Sequence, residues 1–311
     1  MQKKRLTLFL LVFLCILISK AGYSEENKRS RARFSLKLTG GFGFIAIGDI
    51  NKVLGSVNNN ETFEYWREHD PKYIVGKIEK LNDWTPDWEA ELRIDITPKI
   101  GLGIATSGPF RRNGESSLTY TYPGSFGPQV HTFTYKTEIR VSMPIKLNVY
   151  YVLLQKARVS VLLNAGIGYY SGKMSQYSKY DVTWPTGGQY LVTRSWEAER
   201  KFSLGFQGGF GLEYALIKNL AFAMEIQAKF TKISRFAGAV IWTNNYGANL
   251  NRTGTVYYFE MWDANIGAGY CDLDVWDKQY GGGPKWINGA RKALLDLSGC
   301  SFRIGVRIGL F

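Results

Sequence analysis

The side chains with chemistry to offer stand at every second position between apolar neighbours. Lys37, Glu91, Arg93, Asp95, Lys136, Glu138, Arg140, Glu213, Glu225, Lys229, Arg303 and Arg307 all occur this way, with both signs mixed. In an extended strand such residues share one face, because successive side chains point to opposite sides. A face carrying Glu89, Glu91, Arg93 and Asp95 would be intolerable in an apolar core, whereas a charged lumen can hold it. Paired with one another, these charges would plug the lumen. Rearranging, they would pass ions.

Catalysis, metals and nucleotides find less support. The chain has two histidines. His69 lies in the charged run Arg67-Glu-His-Asp-Pro71, and His131 sits on the apolar phase of a strand with no acid or serine beside it in the pattern. Neither has a second His or Cys at ligand spacing, so no metal is expected. Gly41-Phe-Gly43-Phe-Ile-Ala46 resembles a dinucleotide fingerprint, but no amphipathic helix follows it in a βαβ unit, and no cofactor is expected. Cys271 and Cys300 form an even pair once the N-terminal segment is removed, compatible with a disulfide in an oxidising compartment.

That N-terminal segment has the order of a secretory signal. Lys3, Lys4 and Arg5 precede an apolar run from Leu6 to Ile18, and Ala21, Gly22 and Ser24 follow. Residues 1–24 are expected to be cleaved, leaving 25–32 as a short periplasmic segment and 33–311 as the folded part. Cleavage removes Lys20 with the other three cations and no acid, so the formal charge falls from +13 to about +9. In an exported chain such a balance points to anionic lipid or lipopolysaccharide rather than to nucleic acid. No other stretch is apolar for the roughly 18 residues a helix needs to span a bilayer. Any membrane-embedded form must therefore be a closed barrel.

Eight segments alternate with period 2: Arg33–Gly48, Trp88–Thr97, a strand from Lys99, His131–Leu147, Val159–Tyr169, Phe202–Tyr214, Leu220–Phe230 and Phe302–Leu310. Their connections alternate between short turns and four long stretches at about 49–87, 111–129, 172–199 and 234–298. The expected fold is an all-β, transmembrane, antiparallel up-and-down barrel of eight strands with long extracellular loops, both termini being periplasmic. Ten strands result if Thr255-Val-Tyr-Tyr-Phe-Glu260, which also alternates, joins the wall.

The terminal strand ending on Phe311, the pair Gly209-Phe-Gly-Leu-Glu-Tyr214 and Leu220-Ala-Phe-Ala-Met-Glu225, and Asn164-Ala-Gly-Ile-Gly-Tyr169 together resemble the small bacterial outer-membrane barrels of the outer-membrane protein A and opacity-protein type. The resemblance covers essentially the whole mature chain and implies a class of barrel, not an activity. It also implies that Phe311 acts as an assembly signal read by the barrel-assembly machinery.

The expected loops hold most of the tryptophans, including Trp66, Trp84, Trp184, Trp196, Trp242, Trp262, Trp276 and Trp286. They would pack into a cap, or present a stacking surface to an extracellular ligand. The reading is a non-enzymatic outer-membrane protein with a structural or surface-interaction role. The alternatives are a narrow channel or uptake port for a small or hydrophobic solute and a lipid-modifying barrel enzyme.

Overall fold

A computed structural model describes residues 33–58, 73–124, 127–263, 268–276 and 290–310. The signal segment, residues 25–32, His69, Trp66, Trp286 and Phe311 lie outside the described residues. In chain order the elements are β1 (Arg33–Gly48), α1 (Asp49–Asn58), β2 (Ile74–Lys77), β3 (Trp84–Asp95), β4 (Ile100–Ser107), β5 (Phe110–Gly124), β6 (Gly127–Val141), β7 (Ile145–Lys156) and β8 (Val159–Thr183). There follow β9 (Gln189–Ile217), β10 (Leu220–Ser234), β11 (Ala237–Asn244), β12 (Asn249–Asp263), β13 (Ala268–Trp276), β14 (Arg291–Lys292) and β15 (Leu294–Gly309).

Eight strands close into an antiparallel ring, β1-β3-β4-β7-β8-β9-β10-β15 and back to β1. The fold is thus the expected up-and-down barrel, with tight turns at one end between β3 and β4, β7 and β8, and β9 and β10. The segment Thr255–Glu260 lies in β12, outside the ring, so the wall stays at eight.

At the other end the expectation of long loops gives way to a second tier of sheet. β8 and β9 are 25 and 29 residues long and run well past the ring. Beyond it, β6 replaces β7 beside β8, and β11 replaces β10 beside β9. The tier reads β2-β5-β6-β8-β9-β11-β12-β13, with α1 packed against β13 and a core of Ile50, Val53, Leu54, Leu118, Ile139, Met174, Trp196, Val240, Val256, Leu273 and Leu295.

The apolar face changes sides where the tiers meet. In the ring the outward positions are Phe34, Leu38, Phe42, Leu92, Ile104, Ile145, Leu147, Ile167, Phe206, Phe210, Ile226 and Ile304, all exposed, while charges point inward. In the upper tier apolar residues point inward and Lys136, Arg140 and Lys173 outward. The expected single strand His131–Leu147 shows how. Its odd-numbered residues are apolar apart from His131 and Thr137, yet Ile139 and Val141 are buried whereas Ile145 and Leu147 are exposed. The break at Ser142-Met143-Pro144 slips the backbone by one position, which inverts every side chain, and proline there interrupts the ladder. In β15 the backbone phase holds and the sequence switches instead, from buried Leu295 and Leu297 to buried Arg303.

Candidate functional site

The ring encloses a densely bonded charge network in three levels. At mid-height Lys37 Nζ lies 2.6 Å from Glu225 Oε1, 3.2 Å from Glu91 and 3.9 Å from Glu89. Lys37 also donates to the Tyr150 hydroxyl at 2.7 Å, which in turn donates to Glu91 at 2.6 Å. Asn148 donates to the same Glu91 oxygen at 2.9 Å and accepts from Gln207 at 2.6 Å. Towards the loop end, Glu89 Oε2 receives Lys146 at 2.8 Å and Arg303 at 2.9 Å, and Arg303 reaches Glu225 at 3.0 Å. Towards the turn end, Arg93 bonds Asp95 at 2.7 Å and Glu213 at 3.3 Å, while Arg307 bonds the same two acids at 3.3 and 2.9 Å.

Register explains why these groups meet. Lys37 stands directly opposite Glu91 on β3 and Arg307 on β15, and Glu225 opposite Arg303. Lys37 and Arg303 are fully buried and Glu89 and Glu91 almost so. Charges so far from water persist only when paired and hydrogen-bonded. Inward glycines leave the room: a Cβ on Gly103 would stand 2.2 Å from Glu91 Oε1, and one on Gly101 2.7 Å from Arg93 Nε.

The structure therefore gathers Glu91, Arg93, Asp95, Glu213, Glu225, Arg303 and Arg307 in one network with Lys37. Lys229 points into the same lumen near its loop end and makes no salt bridge among the described residues. Lys136, Glu138 and Arg140 are a correction. They lie on β6, above the ring and on its outer surface, where Glu138 bonds Arg111 at 2.7 Å and Arg140 at 2.8 Å, and Lys136 bonds Glu115 at 2.8 Å. Arginine hydrogen bonds hold the Glu138 carboxyl below its ordinary pKa. The network also includes Glu89, Lys146, Asn148 and Tyr150. For Tyr150 the signal was hidden by β7 continuing to Lys156 where a turn was expected, whereas Glu89 and Lys146 lie on the polar phase of their expected strands.

The upper tier holds the remaining candidates. His131 Nδ1 lies 2.8 Å from the Tyr180 hydroxyl, with the Tyr120 ring at 5.1 Å, and burial lowers its pKa. Trp196 is buried, its indole N–H donating to Gln176 at 3.3 Å. Arg194 grips Asp272 with two bonds of 2.5 and 2.6 Å. The Cys271–Cys300 disulfide that the sequence allows is not formed, and both cysteines are free. Cys271 accepts the Tyr258 hydroxyl at 3.0 Å, whereas Cys300 is exposed, in register between Phe44 and Ala228 on the ring. A cleft of about 450 Å³ beside α1 is lined by Lys52, Ser56, Lys80, Tyr258, Glu260 and Cys271. No group of metal-ligating residues occurs among the described residues.

No family model matches the chain, and no curated protein matches it. Among solved structures, the chain is similar to a major outer membrane protein from Thermus thermophilus at 11% identity and a TM-score of 0.37, covering 90% of this chain and 99% of that one. It is also similar to Acinetobacter baumannii CarO at 11% identity and a TM-score of 0.32, with 91% and 100% covered. For A. baumannii CarO2 the identity is 11%, the TM-score 0.30 and the shares 90% and 100%.

Proposed function

We propose that the chain is an integral outer-membrane β-barrel protein of a bacterial envelope that anchors a folded, surface-displayed module above a closed lumen. The inversion of the apolar face carries this reading. Apolar side chains that point outward below the rim and inward above it suit a protein with hydrocarbon around its lower tier and water around its upper one. The outward series Phe34 to Phe44 on β1, allowing a tilt of about 40°, rises about 25 Å, the height of an apolar band in such barrels. Phe44 and Trp84, with rings 6.2 Å apart, and Trp88 stand near the loop-end border, where an aromatic girdle belongs.

Closure of the lumen is read from the bonded network and from the apolar core stacked above it. An ion entering from the loop end would first meet the core that packs Ile47, Ile233 and Leu295, then the Glu89 and Arg303 pair. Single-channel recording on the mature chain in a planar bilayer tests this. Folded protein should give no unitary steps. Reproducible steps would favour the channel reading and refute the plug. His131, whose Nδ1 bonds the Tyr180 hydroxyl and which has no carboxylate partner among the described residues, is read as a structural residue.

A further inference from the structure

The outer surface of the upper tier carries a band of cations just above the apolar belt. Arg111, Arg140 and Lys173 are direct cross-strand neighbours on β5, β6 and β8. Like charges placed opposite one another in a sheet destabilise it. Glu138 serves both arginines and Glu197 takes Lys173 at 2.6 Å, so three cations share two acids. The band continues round the rim through Lys201, whose side chain is 85% exposed and held only loosely by Glu199 at 3.6 Å. It ends at Lys232 and Arg235, both exposed and in no salt bridge among the described residues, although Lys232 faces Asp296 in register.

The height of this band matches a lipid headgroup layer. On β8, Lys173 is two outward positions beyond Tyr169, which closes the apolar series, so it lies roughly 10 Å above the belt along a tilted strand. The polar layer on each side of a hydrocarbon core is about 5–7 Å deep, within reach of a lysine or arginine that bends its head towards it. Lys201 follows the same rule from beside Phe202, which packs on Tyr169 at 5.4 Å.

Resting on the outer-membrane reading above, we propose that Arg140, Lys173, Lys201, Lys232 and Arg235 form a binding collar for the phosphate groups of the glycolipid in the outer leaflet around the barrel. An anion seated between Arg140 and Lys173 would relieve their mutual repulsion, and the forked guanidinium suits a phosphate.

The test uses the mature chain refolded into phosphatidylcholine vesicles doped with bisphosphorylated lipid A or with its dephosphorylated form, then extracted gently for native mass spectrometry. Retained lipid A is expected on the wild type, and little of the dephosphorylated form. Arg140→Gln with Lys173→Gln, and separately Lys232→Gln with Arg235→Gln, should each weaken retention by roughly fivefold per cation removed. Equal retention of both lipids, or variants that hold lipid A as the wild type does, would overturn the collar. Folding of each variant is read from its gel mobility before and after heating. A wild type that folds in plain phosphatidylcholine but ignores lipid A phosphates refutes the collar and leaves the barrel reading standing, whereas failure to insert in any vesicle refutes both.

Discussion

Lys37 Nζ lies 2.6 Å from Glu225 Oε1, joining β1 and β10 across the intervening β15 at the middle of the lumen. Residues 188 apart in sequence thus share one buried ion pair, and Glu91 and Glu89 complete the cage. Replacing Lys37 with Met should leave three buried carboxylates short of a cation and cost about 3–5 kcal/mol. Urea unfolding of the barrel in detergent measures this. Lys136→Met, removing an exposed pair with Glu115, is the control and should unfold at the same urea concentration as the wild type.

At Gly299 the backbones of β15 and β1 approach too closely for a side chain. A Cβ on Gly299 would stand 1.7 Å from the Phe44 carbonyl oxygen, a backbone atom that cannot step aside, whereas one on Gly40 meets nothing within 4 Å. Gly299→Ala should therefore lose the heat-modifiable folded band in gels, and Gly40→Ala should keep it.

The upper tier should fail separately from the ring. Trp196 is buried in the core above the rim, and its removal leaves a cavity there. Trp196→Ala should cost about 3–5 kcal/mol, felt by that tier. Limited proteolysis of vesicle-inserted protein should then cut the upper tier while a ring-sized core survives. Protection equal to the wild type would count against two tiers.

Acid should weaken the upper tier through His131. Burial beside Tyr120 and Tyr180 holds its pKa below the ordinary value, so the folded protein resists a proton that the unfolded chain accepts near pH 6.5. Above pH 7 both states are neutral and nothing is lost. As pH falls through the unfolded pKa, stability declines until the lower folded pKa is passed. Thermal unfolding compared at pH 7.5 and pH 5 should show a smaller loss for His131→Phe than for the wild type, and equal losses would mean that His131 does not carry the acid sensitivity.

The ring was legible in the sequence because its strands alternate cleanly: Arg33–Gly48 is both the predicted and the observed first strand. The lumen charges on β3, β9, β10 and β15 followed from the same alternation. What stayed hidden was the second tier. Its strands alternate too, but they bury the opposite face, and alternation alone does not say which side is wet. Alternation alone therefore places Lys136, Glu138 and Arg140 on the lumen face, and only the slip at Ser142–Pro144 tells them from Lys146 and Asn148. The halves of β8 beyond Tyr169 and of β9 before Phe202 resembled loops because Lys, Glu, Ser and Tyr dilute their apolar residues. Lone contacts such as Arg194 with Asp272 depend on non-local register that no local pattern carries.

The apolar face inverts where the two tiers meet, and spin labels placed singly along β8 read that inversion position by position. With Cys271 and Cys300 replaced by Ser, labels at 161, 163, 165, 167 and 169 in a lipid-inserted sample should be reached by oxygen and shielded from a water-soluble nickel reagent. Labels at 173, 175 and 179 should show the reverse, with 164, 174 and 176 protected from both. Oxygen access persisting beyond 171, or nickel access at 163 to 167, would contradict a hydrocarbon-facing lower tier beneath a water-facing upper one.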